Sequence, residues 1–326
     1  MKQALIDPVS QPLETKKDVL GILDVADSIP KILDDALTLK RLLGKNGRLD
    51  IASGHTLGMI FEKNSTRTRV SFEVGFKKLG GEVVVMCKNE TQLGRGESVH
   101  DTAKVLSRYL DAIMYRAHSS ETMAELARHS SIPVISGLDD KEHPCQVLAD
   151  LLTLKEHFGR LDGLKVAYVG DAANNVAHSL LLAAPLVGMD IRMVSPPDYR
   201  PEPGMWKTAE MLAAVNGTDI DQTGLSHEAL SGVHVVVTDT WVSMGDETEQ
   251  AARVAAFADY TITPEVMSWA EPSAVFLHCL PAHYGEEVVE SVAHGPQSLV
   301  WDEAENRMWV QMALLCDVLG LTVPRA

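Results

Sequence analysis

Basic side chains are scarce in this chain: 29 Lys and Arg stand against 45 Asp and Glu in 326 residues, a formal net charge of −16. So acidic a surface repels nucleic acid and anionic membrane unless a local basic cluster overrides the average. Cysteine is equally sparse. Cys87, Cys145, Cys279 and Cys316 are scattered without a CxxC pair, too thinly for a disulfide framework, and are expected to be reduced thiols of a cytoplasmic protein. No long apolar run is present either; the most apolar stretch, residues 180–187, falls far short of the roughly 20 residues a membrane span needs. Residues 1–20 carry Asp7, Glu14 and Asp18 and lack a long apolar core, against a secretory or Arg-rich transit signal. Repeats, low-complexity tracts and Gly/Ser or Pro-rich linkers are also missing, so any domain boundary must be read from the order of elements.

What is present is a hydrophobic fraction of 45%, enough for substantial cores and, at this length, for two domains. After one or two helices ending near Leu43, β-like segments 56–61, 82–86, 112–116 and 132–136 alternate with helical patterns. A long amphipathic stretch, 143–158, follows. A second series then begins, with β-like segments at 165–170, 191–195, 233–239, 274–279 and 298–301, and a last helix from Glu303 to about Leu319. Alternating strands and helices predict an α/β protein: two doubly wound parallel-sheet domains joined by interdomain helices. The expected division is 1–148 and 149–304, with a C-terminal helix, 305–326, packing back on the first domain. In such sheets ligands bind at the carboxyl ends of the strands.

Several polar constellations fall at those ends. Ser65-Thr-Arg-Thr-Arg69 follows a strand and opens a helix with apolar rows Val70/Val74 and Phe72/Phe76/Leu79; hydroxyls, free first-turn amides and Arg67 and Arg69 make a phosphate site. Taken singly, Ser65 or Thr66 is equally a helix cap and the arginines solvated. Gln92 follows the second strand, Arg116 ends the third, and His143-Pro-Cys-Gln146 opens the helix after the fourth, with Pro144 suited to its first turn. In the second half, Gly170-Asp-Ala-Ala-Asn-Asn175 lacks the GxGxxG spacing of a dinucleotide site, which disfavours a nicotinamide-binding module. Asn175 is either a ligand for a polar small molecule or a helix cap. Asp239-Thr-Trp-Val-Ser-Met-Gly245 and His278-Cys-Leu-Pro281 follow the next two strands. A cysteine ending a buried strand is often inert packing. Zinc ligation by His143, Cys145, His278 and Cys279 lacks a structural-zinc spacing, so no metal is expected.

Ser65-Thr-Arg-Thr-Arg69 with Ser71-Phe-Glu73, together with His143-Pro-Cys-Gln146, resembles the carbamoyl phosphate motifs of the aspartate and ornithine carbamoyltransferases. Asp239-x-x-x-Ser243-Met-Gly245, His278-Cys-Leu-Pro281 and Glu305-Asn-Arg307 resemble the ornithine branch of that family, and the likeness runs in order from about Lys17 to Leu319. The resemblance implies a transferase that moves the carbamoyl group of carbamoyl phosphate to the δ-amine of L-ornithine, giving L-citrulline and phosphate, in arginine metabolism. It needs no cofactor and works as a homotrimer, or a multiple of trimers, with active sites near subunit interfaces. Carried over residue by residue, carbamoyl phosphate is held by Ser65, Thr66, Arg67, Thr68, Gln92, Arg116, His143, Gln146, Arg307 and the Cys279-Leu280 backbone, and ornithine by Asn175, Asp239, Ser243 and Met244. Cys279, Asp239, Arg116 and His143 are the implied catalytic set. Cys279 is expected to orient and help deprotonate the amine with Asp239, the alternative being a covalent carbamoyl-cysteine. Asp239 favours a cationic amino acid over aspartate. Two positions depart from the pattern: Tyr284 where arginine is common, and Trp309 where histidine is usual. A carbamoyltransferase for another amine, such as putrescine or an acylated ornithine, and a non-catalytic binding homologue are the rival readings.

Overall fold

The computed structural model describes residues 16–88, 91–242 and 250–325. In the first half, a short 3-10 turn leads into α1 (Ile29–Leu43), then β1 (Thr56–Phe61), α2 (Thr66–Lys78), β2 (Glu82–Cys87), α3 (Val99–Leu106), β3 (Ala112–Arg116), α4 (Ser120–His129) and β4 (Val134–Leu138). Helix α5 (Pro144–Phe158) leads into the second half: β5 (Lys165–Val169), α6 (Asn175–Leu186), β6 (Asp190–Val194), α7 (Pro203–Asn216), β7 (Ile220–Thr223), α8 (His227–Leu230) and β8 (Val235–Thr238). The chain continues through α9 (Gln250–Phe257), α10 (Pro264–Met267), β9 (Val275–His278), α11 (Glu290–Ala293) and α12 (Val300–Val318).

Both sheets are parallel throughout, in the orders β2-β1-β3-β4 and β7-β6-β5-β8-β9. Parallel sheets must be covered on both faces, and their strands read as near-continuous apolar runs for that reason. Residues Ala112–Arg116 are all buried, as are Val235–Thr238 and Val275–His278. Apolar clusters cover both faces of each sheet, and the largest runs continuously from α1 through α5 and α12 into the second domain's α6. The doubly wound architecture expected from the alternation is therefore the one observed.

Three local expectations change. Residues 298–301 are not a strand: Ser298 makes an isolated bridge with Phe276 and the chain is helical from Val300. An unanticipated edge strand, β7, instead pairs with β6. The helix after β4 is less amphipathic than its pattern implied, because Pro144 to Leu154 are all buried. A helix that is apolar all round belongs between layers, and α5 is packed by α12, α1 and α6. Finally, Phe72 and Phe76 of α2 are in the core, but Val70 and Val74 are exposed.

Helix α12 is the element that positions the site. It packs on α5, α1 and α2 and touches β9, so the end of the chain completes the layer beneath the first sheet. Its approach to α2 is close enough to require Gly75, where a Cβ would lie 2.9 Å from Met312 Cγ. Gly75→Val should therefore cost about 1–3 kcal/mol of stability through overpacking, measured by urea denaturation, and should weaken anion binding at the α2 N-terminus at the same time.

Candidate active site

A cavity of about 330 Å³ opens between the two sheets' carboxyl ends, lined by residues from both domains. One wall is the start of α2. Ser65 has extended backbone and its Oγ accepts from the Thr68 amide at 3.3 Å, so it is the helix cap, while Lys63, Asn64, Thr66 and Arg67 line the space. Capping leaves the other first-turn amides available to an anion.

Three guanidiniums converge here. Arg67 donates from α2 across the domain gap to the carbonyl of Leu280. Arg116, at the end of β3, reaches Thr68 Oγ1 at 3.4 Å and the Gly137 carbonyl at 3.5 Å. Arg307, from α12, donates to Thr68 Oγ1 at 2.9 Å and Gln146 Oε1 at 2.8 Å, and lies 3.4 Å from His143 Nε2. Among the described residues none of the three has a carboxylate within 4.0 Å. The Nε atoms of Arg116 and Arg307 are buried with no partner among them. Burial, and next the charge of Arg307, lowers the Arg116 guanidinium to about 10, and burial lowers Arg307 as well. Buried cations held together without counter-charge are costly. The arrangement is suited to an anion that would supply the missing counter-charge.

His143 caps α5 without a side-chain cap bond and is 3% exposed. Burial, then Arg307, Arg116 and Arg67, push it well below the ordinary imidazole range, so the ring is neutral at pH 7. With Nε2 facing the Arg307 donor, the proton belongs on Nδ1, which is buried and without a partner among the described residues.

The opposite wall belongs to the second domain. Asn175 is the first residue of α6 and donates to the Asp139 carbonyl at 2.8 Å; the cap is its neighbour Asn174, whose Oδ1 accepts from the Ala177 amide at 2.7 Å. Asp239, just past β8, accepts from the Thr240 amide at 2.8 Å and from Cys279 Sγ at 3.0 Å. Burial raises the Asp239 carboxyl, and burial together with Asp239 pushes the Cys279 thiol well above its usual value. The sulfur is therefore a protonated donor to a carboxylate, the wrong form for a nucleophile. His278 holds the turn itself: Nδ1 accepts from the Leu280 amide at 2.9 Å and Nε2 meets Glu287 at 3.0 Å.

Most of the residues singled out in the sequence meet at this cavity: Ser65, Thr66, Arg67, Arg116, His143, Asn175, Asp239, Cys279, Leu280 and Arg307 all line it. Thr68 and Gln146 stand behind it: Thr68 Oγ1 accepts from Arg116 and Arg307, and Gln146 accepts from Arg307 at Oε1 while its Nε2 donates to Asp150 and Glu303. Gln92 lies elsewhere, in a separate apolar cleft with Ile60, Met86 and Leu106. Ser243 and Met244 lie outside the described residues. Among the described residues, Asp239, His278 and Cys279 group as a potential metal cluster, as do His283, Glu286 and Glu287; His143 and Cys145 belong to neither. Both sequence departures sit away from the cavity lining: Tyr284 bonds His294 at 3.1 Å, and Trp309 is buried with its indole nitrogen on Glu305 at 3.1 Å. Sequence reasoning missed Asp150 and Glu303, both buried beneath Gln146 and Arg307. The available signal was spacing, since Gln146/Asp150 and Glu303/Arg307 are each four apart on one helix face.

Residues 17–156 match the profile of the aspartate/ornithine carbamoyltransferase carbamoyl-P binding domain, and residues 162–318 that of the Asp/Orn binding domain. The chain belongs to the aspartate/ornithine carbamoyltransferase family. It is 50% identical over 311 residues to the ornithine carbamoyltransferase of Methanoculleus marisnigri, covering 94% of this chain and 97% of that protein. It is 48% identical to that of Carboxydothermus hydrogenoformans, covering 93% and 98%. Among solved structures, the ornithine carbamoyltransferase of Pyrococcus furiosus superposes with a TM-score of 0.89 at 43% identity, covering 94% and 98% of the two chains. Arg67 and Arg116 fall within the stretch that matches the carbamoyl-P binding profile, and Arg307 within the Asp/Orn binding profile.

The state of Cys279 is directly testable. Its thiolate should appear only well above the ordinary thiol range, so iodoacetamide labelling at about pH 8 should be slower than that of a free thiol near 8.5. Asp239→Asn should accelerate it.

Proposed function

We propose that this chain transfers the carbamoyl group of carbamoyl phosphate to the δ-amine of L-ornithine, releasing L-citrulline and phosphate. The observation that carries the reading is the pairing of two opposed charge sets in one cavity. Three guanidiniums without carboxylate partners among the described residues face the Asp239–Cys279 pair across the gap between the domains.

The chemistry follows from that polarity. Arg67, Thr66 and the free amides of α2 bind the phosphate and stabilise it as it leaves. Arg116, Arg307 and the Nδ1–H of neutral His143 are suited to the carbonyl oxygen, where negative charge grows in the tetrahedral intermediate. By analogy with lysine the ornithine amine has a pKa near 10, so roughly a thousandth is neutral at pH 7. Asp239 selects the cationic amino acid and, with its carboxyl raised by burial, accepts the amine proton; Cys279 holds the carboxylate in place and orients the attacking nitrogen. The nitrogen bonds to the carbonyl carbon, the C–O bond to phosphate breaks with its electron pair leaving on phosphate, and the second proton of the attacking nitrogen passes to the departing phosphate, which leaves as the hydrogen phosphate dianion. The protonated thiol argues against a carbamoyl-cysteine intermediate. Asn175 is the position assigned to the amino-acid end of the substrate.

The division into domains 1–148 and 149–304, with the last helix returning to the first, fits this split of roles. A homotrimer, or a multiple of trimers, is supported by two features. Gln92, assigned to carbamoyl phosphate, is outside its own chain's cavity, and Val70, Val74 and the edge-strand residue Val84 are exposed apolar side chains in the same domain. A neighbouring subunit would cover the valines and bring in Gln92. A cytoplasmic location is supported by four cysteines that form no disulfide with one another, and no helix among the described residues is long and apolar enough to cross a membrane.

Citrulline should form from carbamoyl phosphate and ornithine, with Arg67→Ala lowering kcat/KM by roughly 100- to 1000-fold, the scale of a lost transition-state charge contact. Full turnover in that variant, or faster turnover of putrescine than of ornithine, overturns the assignment. Mixing Gln92→Ala with Cys279→Ala chains after dissociation should restore activity that neither variant has alone. If the mixture stays inactive, the shared-site trimer is wrong.

A further inference from the structure

Behind the arginine cluster two carboxyl groups are buried against each other, Asp150 on α5 at 1% exposure and Glu303 on α12 at 2%. Neither touches the cavity. Oxygens of both converge on one nitrogen, Gln146 Nε2, which lies 2.9 Å from Asp150 Oδ1 and 2.7 Å from Glu303 Oε1, and no Lys, Arg or His among the described residues pairs with either. Two ionised carboxylates converging on one amide nitrogen, out of water and without a cation paired to either, would repel strongly, so the pair must hold a proton.

The geometry says which one carries it. Both oxygens of Glu303 accept N–H groups: Oε1 from Gln146 Nε2 at 2.7 Å and Oε2 from the His278 amide at 2.9 Å. Asp150 accepts only at Oδ1, from Gln146 Nε2 at 2.9 Å, leaving Oδ2 for an O–H. The Gln146 amide is thereby fixed. Its two N–H groups point at the acid pair, so Oε1 must face Arg307 Nη1, at 2.8 Å. A flipped amide would set donor against donor at Arg307 and acceptor against acceptor at the pair.

Resting on the carbamoyl transfer proposed above, we infer that Asp150 and Glu303 share a single proton, Asp150 donating to Glu303, and that this pair positions Arg307 through Gln146 and the Cys279 turn through the His278 amide. These are positioning residues. One hydrogen-bonded unit thus ties the anion-binding guanidinium of α12 to the thiol at the end of β9. Burial raises both carboxyls, Asp150 to about 7 and Glu303 well above the ordinary carboxylate range, so the pair still holds a proton at neutral pH and gives it up only as pH rises further. Charged and titratable groups around the pair are Arg307 on α12, Asp239 past β8 and Cys279 past β9. Losing the proton leaves two facing carboxylates that push apart and release Gln146.

An asymmetry between isosteric amides tests this. Asp150→Asn supplies an N–H to Glu303 in place of the O–H and keeps the acceptor for Gln146. It should retain near wild-type kcat/KM. Glu303→Gln places an N–H against either the His278 amide or Gln146 and removes the pair's charge; it should lose roughly 10- to 100-fold, the cost of an unmatched buried donor. In the wild type, KM for carbamoyl phosphate at saturating ornithine should rise as pH climbs above neutral and the pair loses its proton, and in Asp150→Asn this rise should disappear. Equal losses in the two variants, no loss in either, or a pH-dependent rise that survives in Asp150→Asn each overturn the inference. If Glu303→Gln does not fold, as judged by its thermal melt, the pH comparison of wild type with Asp150→Asn decides. A wild-type chain that makes no citrulline defeats the functional reading, whereas a citrulline-forming chain whose variants behave alike defeats only the pair.

Discussion

The constraint on which the site depends is the burial of Arg307. A guanidinium 3% exposed depends on the protein for its partners, and here Nη1 and Nη2 are met by Thr68 from α2 and by Gln146 and His143 at the start of α5, with Nε unpartnered and nothing ionised in the set among the described residues. That choice of neutral partners does two things. It fixes three helices relative to one another, because each contributes an atom to the same cation, and it leaves the positive charge uncancelled, so that the field reaches the cavity. Had evolution placed a carboxylate against Arg307, the helices would be held as well and the anion site would be lost.

Electrostatic polarity across the cavity is then a property of the fold. Each sheet delivers its polar residues at strand carboxyl ends, the first sheet and α12 cations and amides, the second an acid and a thiol. The net charge of −16 gives no hint of this. Charge averaged over a surface governs long-range encounters and solubility, whereas three arginines inside a low-dielectric gap govern what binds there.

Which parts of this were legible in the sequence follows from range of interaction. Strand–helix alternation is local, and β1, β3, β5 and α5 were readable nearly to the residue. The Ser65 turn and the His143-Pro-Cys-Gln146 helix start were readable because capping is local too. Strand β7 was not, since Ile-Asp-Gln-Thr alternates between half-buried and exposed on a sheet edge and has no apolar run. The stretch 298–301 looked like a strand because its apolar residues are short and contiguous, a pattern that buried helix starts share. Whether Val70 and Val74 face core or solvent depends on where α12 lands, more than 200 residues later by the numbering of the chain. The role of Gln146 was open to misreading for the same reason, because a glutamine beside an anion site reads as a ligand until Asp150 and Glu303 are seen to occupy its amide.

The return of α12 to the first domain has a consequence for how the molecule comes into being. A ribosome releases this chain N-terminus first, yet the layer beneath the first sheet is closed only by residues 300–318, the last regular element. Until they emerge, α1, α2 and α5 expose the apolar faces that α12 covers, and the cation that organises the anion site is not yet present. The first-made half of the protein is thus the half that must wait. A chain that stops before α12 lacks Arg307, and the nascent first domain exposes apolar surface open to aggregation while synthesis of the second proceeds.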